Sequence, residues 1–170
     1  METTSETSTT HILSCKWNLY YHLQSDSNWK QDSYKIIMKE IDSVESIVSI
    51  NEIIPEYLLY NCMFFCMKTG ITPMWEDVNN RDGGCFSYRV SNSDVSIAWQ
   101  KLLCAMCGNS LCNNSKYESH INGITISPKK RFSVIKIWMN TCKLKNPDII
   151  QEIPCLSKDG CLFKKHSPEF

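Results

Sequence analysis

Residues 15–23 alternate apolar and polar, with Trp17, Leu19, Tyr21 and Leu23 on one side, the pattern of a half-buried strand. Polar residues 24–28 make a loop that ends at Trp29, and a second strand runs through Tyr34, Ile36 and Met38 to Ile41. Asp42-Ser-Val-Glu45 sets a capping residue three positions before a glutamate, and Val44, Ile47, Val48, Asn51 and Ile54 follow at helical spacing until Pro55. Residues 62–67 form a short apolar strand stopped by Lys68-Thr-Gly70, and 72–84 form a long loop from Pro73 to Gly83-Gly84. Residues 85–90 alternate again. Ser93 or Asp94 caps a helix carrying Val95, Ala98, Trp99, Leu102, Leu103 and Met106, with Gly108 as its stop. Strands at about 119–127 and 133–139 flank Pro128-Lys-Lys-Arg131, Asn146-Pro147 opens a short helix, and 161–166 makes an edge strand.

Strands in hairpin-like succession with a few helices between them predict an α+β domain, a mostly antiparallel sheet with helices on one face. Loops on the other side are then free to build a site. The chain of 170 residues shows no internal repeat, and we expect a flexible polar tail over 1–10 followed by a single domain over 11–170. The tail has no apolar core of a signal peptide, and no apolar run reaches the length of a membrane helix. No membrane partner is expected.

Two compositional features refine this picture. The ten cysteines, without a secretory signal, read as reduced thiols of a cytoplasmic protein. A zinc site would lean on Cys104, Cys107 and Cys112, or on Cys62 and Cys66, but Cys104 and Cys107 lie inside an apolar helical pattern and no second CxxC exists. We expect neither metal nor cofactor. The net charge is zero but uneven: residues 1–118 hold 9 Lys and Arg against 14 Asp and Glu, and residues 119–170 hold 9 against 4. Such a basic segment either meets phosphate or is a solvated face.

Trp17, Trp99 and Trp138 lie on strand or helix faces, where tryptophan is ordinarily core. Trp29 and Trp75 lie among polar residues in loops, and each is either a ligand platform or a tucked-in anchor. Two platforms beside a carboxylate suit a 7-methylated guanine. Its cationic ring stacks between electron-rich indoles, and its two adjacent N–H donors fit one carboxylate. A 5′ triphosphate would then need basic groups such as Lys129, Lys130 and Arg131.

From about His11 to His166 the chain resembles the eukaryotic translation initiation factor 4E family. The strongest match is Gly70-Ile71, then Pro73-Met-Trp-Glu-Asp77, Asn80 and Gly83-Gly84. Trp17, Trp29, Asp42-Ser-Val-Glu45, Trp99 to Gly108, and Gly123 to Trp138 follow in family order. The resemblance implies a cupped antiparallel sheet, with the mRNA cap on the concave face and about three helices on the convex face. It implies a non-catalytic binding protein in which Trp29 and Trp75 sandwich the base. Glu76 would accept from the guanine edge, Trp138 would pack near the N7-methyl group, and Lys129, Lys130 and Arg131 would meet phosphate. Asp77→Asn is expected to weaken cap binding only mildly. The implied partners are capped mRNA and a scaffold of the 4G type, or a dedicated alternative, on a back surface including His11, Leu13, Val44, Val48 and Gln100.

The chain departs from the family at telling places. Cys85 stands for a phosphate-binding arginine and Val134 for a phosphate-binding lysine, which leaves the 129–131 run or residues such as Lys164 and Lys165. Val48 stands for the dorsal tryptophan that receives the scaffold, and Gln100 for an apolar neighbour. Such a compact, divergent, cysteine-rich version suits a virus-encoded or protist member, and Val48 and Gln100 favour the rival reading of a translational repressor or regulator that does not recruit the usual scaffold. An enzymatic reading has only Glu76-Asp77 as a clustered carboxylate pair, and the four histidines form no motif.

Overall fold

A computed structural model describes residues 10–168, so the tail expected over 1–10 lies outside the described residues save for Thr10. Among the described residues, one sheet holds seven strands: β1 (Ile12–Leu23), β2 (Lys35–Ser43), β3 (Cys62–Lys68), β4 (Gly84–Ser91), β5 (Ile121–Pro128), β6 (Phe132–Met139) and β7 (Leu162–Lys165). They lie in the order β2-β1-β3-β5-β6-β4-β7, every pair antiparallel. The helices are α1 (Val44–Ile53), α2 (Glu56–Asn61) and α3 (Val95–Cys107). The α+β class read from the sequence is the one adopted.

Successive side chains of a strand point to opposite faces, so each strand contributes to two layers. Trp17, Leu19, Phe64, Cys66, Phe86, Tyr88, Ile124, Ile126, Ile135 and Ile137 form the main core with Ile47, Ile50, Leu59, Trp99, Leu102, Leu103 and Met106 from the helices. The alternate set, Tyr20, Phe65, Met67 and Trp138, forms a smaller cluster with Ile71 on the opposite, concave face. One register row crosses that face as Tyr20, Phe65, Thr125, Lys136 and Ser87. Trp17 and Trp99 are buried core residues, as expected.

Local chemistry explains where the elements begin. Ser43 caps α1 by accepting from the Ser46 N–H. Asp94 stands at the start of α3 without a capping bond, and its carboxylate accepts from the Ser91 hydroxyl instead. Pro55 ends the first helix and also precedes α2, a six-residue helix that the sequence pattern does not predict. The short helix expected after Asn146 is a 3-10 turn over Pro147–Ile149, capped by the Asn146 side chain. Register shifts between β1 and β2 mark irregular pairing at the Trp17 end, a feature that bends a sheet.

Gly83 joins the Trp75 loop to β4. A Cβ there would lie 1.9 Å from the Met139 carbonyl oxygen, so only glycine lets the loop re-enter the sheet so close to β6.

Candidate functional site

The loop over 69–83 is polar, yet its backbone is held from within. The buried Asn80 carboxamide donates to the carbonyls of Thr72 and Met74, at 2.9 and 2.8 Å. Its own oxygen accepts from Asn122 Nδ2 at 2.9 Å, which ties the loop to β5. Asp77 accepts from the Thr72 N–H and hydroxyl, each at 2.7 Å, and from the Asn79 N–H and side chain. Burial alone would raise the Asp77 carboxyl, but these bonds outweigh it and hold the group below the usual carboxylate value. Asp77 is therefore the staple of the loop.

This scaffold presents Trp75 half-buried against the concave cluster, with Glu76 half-buried beside it. Beneath it Trp138 is 3% exposed and donates its indole N–H to Thr125 Oγ1 at 2.7 Å. Trp29, on the loop after β1, is 52% exposed. Its ring lies parallel to the fully buried imidazole of His22, with centroids 4.2 Å apart and planes 4° apart. Tyr34 links it to the same cluster, 6.5 Å from Trp29 and 5.2 Å from Phe65. Burial and then the nearby Glu76 charge push the Tyr34 phenol up to about 12. The structure thus brings Trp29, Trp75, Glu76 and Trp138 together over one face.

The basic residues divide between two places. Lys129, Lys130 and Arg131 are exposed at the β5–β6 hairpin tip, beside the Trp29 loop, where Gln24 donates to the Pro128 carbonyl at 3.0 Å. Two lysines belong to the concave face itself. Lys136 is half-buried between Thr125 and Ser87, and Lys164 pairs with Cys85 and holds its ammonium 5.3 Å from the Trp75 ring centroid. Burial pushes the Cys85 thiol up while both ammonium groups draw it down, so they flank the position. Lys136 is not among the residues the sequence singles out. A signal for it exists: in a period-two strand, a lysine two residues before Trp138 shares its face.

Helices occupy the opposite face. There Val44 and Val48 are exposed on α1, Leu13 packs on the main core, and the His11 ring meets the Glu45 carboxylate at 2.7 Å. Gln100 is half-buried between α1 and α3. Each histidine has a plain structural partner: Glu45 for His11, Asn28 for His22, Asn140 for His120 and Asn80 for His166. None stands against a nucleophile. Among the described residues no group of three or more His, Cys, Asp or Glu could hold a metal ion, and all ten cysteines are free thiols. No helix there is long and apolar enough to cross a membrane.

An antiparallel sheet backed by helices, with aromatic side chains from two loops gathered on its concave face beside lysines, defines a class of ligand-binding domain. The family model described as eukaryotic initiation factor 4E matches residues 12–166, and the chain belongs to that family. Initiation factor 4E of Candida glabrata is 25% identical over 162 residues, covering 91% of this chain and 71% of that protein. The human factor is 27% identical over 139 residues, covering 78% and 62%. Among solved structures, Caenorhabditis elegans eIF4E-3 with the 4E-binding protein Mextli and a cap analog has a TM-score of 0.69 at 29% identity, covering 79% of this chain and 76% of that one. Ascaris suum eIF4E-3 with m7G cap has a TM-score of 0.68 at 27% identity, covering 79% and 77%.

His166 closes the Trp75 side of the site. Burial pushes its imidazole below the ordinary histidine value, the Asn80 carbonyl and Glu76 oppose this, and Lys136 reinforces it. The folded chain therefore binds fewer protons here than the unfolded chain. The corresponding stability is full above pH 6.5 and is lost as the pH falls below that value. Denaturant unfolding at about pH 7.5 and about pH 5.5 should show lower stability in acid, and a smaller drop in His166→Phe. An equal drop in both proteins would remove His166 from this account.

Proposed function

We propose that this chain binds the 7-methylguanosine cap of mRNA as a translation initiation factor, stacking the base between Trp29 and Trp75. The observation that carries the reading is the convergence of two loop indoles and Glu76 on one concave face. Glu76 accepts the guanine N1–H and N2–H₂ as a fork, which fixes guanine over adenine. Trp138 forms the floor near the N7-methyl group. The Trp75 ring already attracts a cation, the Lys164 ammonium, as a π face against a charged base would. The related Ascaris protein bound to m7G cap supports the ligand class. The role is binding without turnover, in line with Asp77, the carboxylate next to Glu76 in sequence, being committed to holding its loop.

Trp29→Ala and Trp75→Ala should each lower affinity for 7-methyl-GTP by about 1–3 kcal/mol, roughly 5- to 150-fold, measured by calorimetry. Glu76→Gln should lose guanine affinity more than its size suggests, because the amide turns a donor towards a donor. Parental affinity in either tryptophan variant would break the sandwich.

The triphosphate is held by Lys136 and Lys164 on the sheet together with Lys129, Lys130 and Arg131 at the hairpin tip. Lys136→Ala should weaken 7-methyl-GTP binding and spare 7-methylguanosine. Charge reversal of the three hairpin residues should flatten the salt dependence of capped-RNA binding, by roughly one unit of slope for each phosphate that is no longer neutralised. Unchanged ligand preference and slope would place the phosphates elsewhere.

The convex helical surface takes a protein partner, a scaffold of the 4G type or a dedicated alternative. The relative solved with Mextli supports a 4E-binding protein as the class of partner. One observation favours the second reading, a cap-binding regulator that does not recruit the usual scaffold. Val48, 47% exposed, offers neither the area nor the N–H donor of a tryptophan, and Gln100 adds a polar group nearby. An ordinary scaffold helix should bind at least about 30-fold more weakly than to a tryptophan-bearing relative, from roughly 2 kcal/mol of missing anchor, and Val48→Trp should recover affinity. Sub-micromolar binding by the parent would restore the initiation role in full.

A further inference from the structure

Both loop indoles are backed by histidines, and the two arrangements share one design. His22 lies at the concave-facing end of β1, fully buried, parallel to Trp29 with 4.2 Å between centroids. Its Nε2 meets the carbonyl of Asn28, the residue before Trp29, at 2.8 Å. His166, just past β7 and 2% exposed, stacks on Trp75 at 5.5 Å and 17° and lies 4.9 Å from Trp138. Its Nδ1 meets the carbonyl of Asn80, the residue that organises the Trp75 loop, at 2.7 Å. A carbonyl only accepts, so each of these nitrogens carries the proton.

The second nitrogen of each ring, His22 Nδ1 and His166 Nε2, is buried and finds no hydrogen-bond partner among the described residues. A phenylalanine would fill either space without that cost, so the imidazole is retained for its N–H as well as its plane. Hydrogen bonds among Asp26, Asn28 and Lys30 shape the Trp29 loop backbone, but the parallel contact with His22 is what aligns the half-exposed indole. A stacking side chain that must be ordered by its ligand weakens binding, and one ordered in advance does not.

We propose that His22 and His166 are positioning residues that fix the planes of Trp29 and Trp75 before a ligand arrives, each stacking on one indole and donating an N–H to the loop that carries it. The consequence for affinity rests on the cap-binding reading above. For His166 burial favours the neutral imidazole. Protonation would bury a charged N–H without an acceptor, and would set positive charge behind an indole that faces a cationic base.

The test uses the full chain labelled with 5-fluorotryptophan, its fluorine resonances assigned with Trp29→Phe and Trp75→Phe. Glutamine at 22 or 166 keeps an N–H donor and loses the ring; phenylalanine keeps a flat ring and loses the donor. Without ligand, His22→Gln should shift or broaden the Trp29 resonance and His166→Gln the Trp75 resonance. Affinity should fall about 3- to 10-fold, equally for 7-methyl-GTP and 7-methylguanosine, while the phenylalanine variants recover most of it and stay about 2-fold weaker than the parent. Folded glutamine variants with parental resonances and affinity would overturn the proposal, as would a loss confined to the triphosphate ligand. Should the glutamine variants not fold, a parental resonance and affinity in the phenylalanine variants would overturn it. Should the parent fail to hold 7-methyl-GTP, the cap reading falls, and the ligand-free resonances still decide whether the histidines fix the indoles.

Discussion

A polar loop can hold an indole still only if its own backbone groups are satisfied, and in this protein one buried carboxamide does most of that. Asn80 ties the carbonyls of Thr72 and Met74 together from inside the loop, binds β5 through Asn122, and offers its backbone carbonyl to His166. Every element of the Trp75 side refers back to it. Leaving two carbonyls and a neighbouring amide unpaired in a buried place would cost several times the net value of one ordinary hydrogen bond. The loop therefore behaves as part of the sheet, and Trp75 inherits the rigidity of β5 and β7.

The sheet makes such a site possible by having two apolar faces of unequal size. Helices bury the larger face, which supplies the stability of the domain. Among the described residues the smaller, aromatic face is covered by the two loops and by His166 after β7, and there Tyr20, Phe65 and Trp138 form an apolar floor beneath Trp75. Charges that would be costly in a core stand at its margin. Glu76 is the residue proposed to meet the ligand edge, while Asp77, one residue on, holds the loop. Asp77 is saturated with donors from its own loop, which commits it to holding Trp75 in place.

Much of this is legible from residue patterns. Alternation locates the strands because half-buried strands must alternate, and the capping chemistry of Ser43 locates α1. Trp29 and Trp75 stand out as costly residues among polar neighbours, and the resemblance to the initiation factor 4E family is specific enough to name Glu76. Other features are not legible, for physical reasons. α2 spans six residues, less than two turns, so no periodicity develops, and Pro55 reads equally well as a stop or a start. Lys136 is not one of the residues that the resemblance names, and it emerges only when β6 is sorted by strand face. The backing of Trp29 by His22 and of Trp75 by His166 joins elements through tertiary stacking, which no local pattern encodes.

The central claim is that the paired indoles select a cationic, methylated guanine. Its most direct test is the quenching of tryptophan fluorescence by 7-methyl-GTP and by GTP, titrated separately into the same protein. The two ligands share phosphates and guanine edge, and differ by the N7-methyl group and the ring charge it brings. The account predicts saturable quenching by both, with 7-methyl-GTP tighter by at least about tenfold from the cation–π contribution of two desolvated faces. Equal affinities, or no saturable quenching by 7-methyl-GTP, would contradict it.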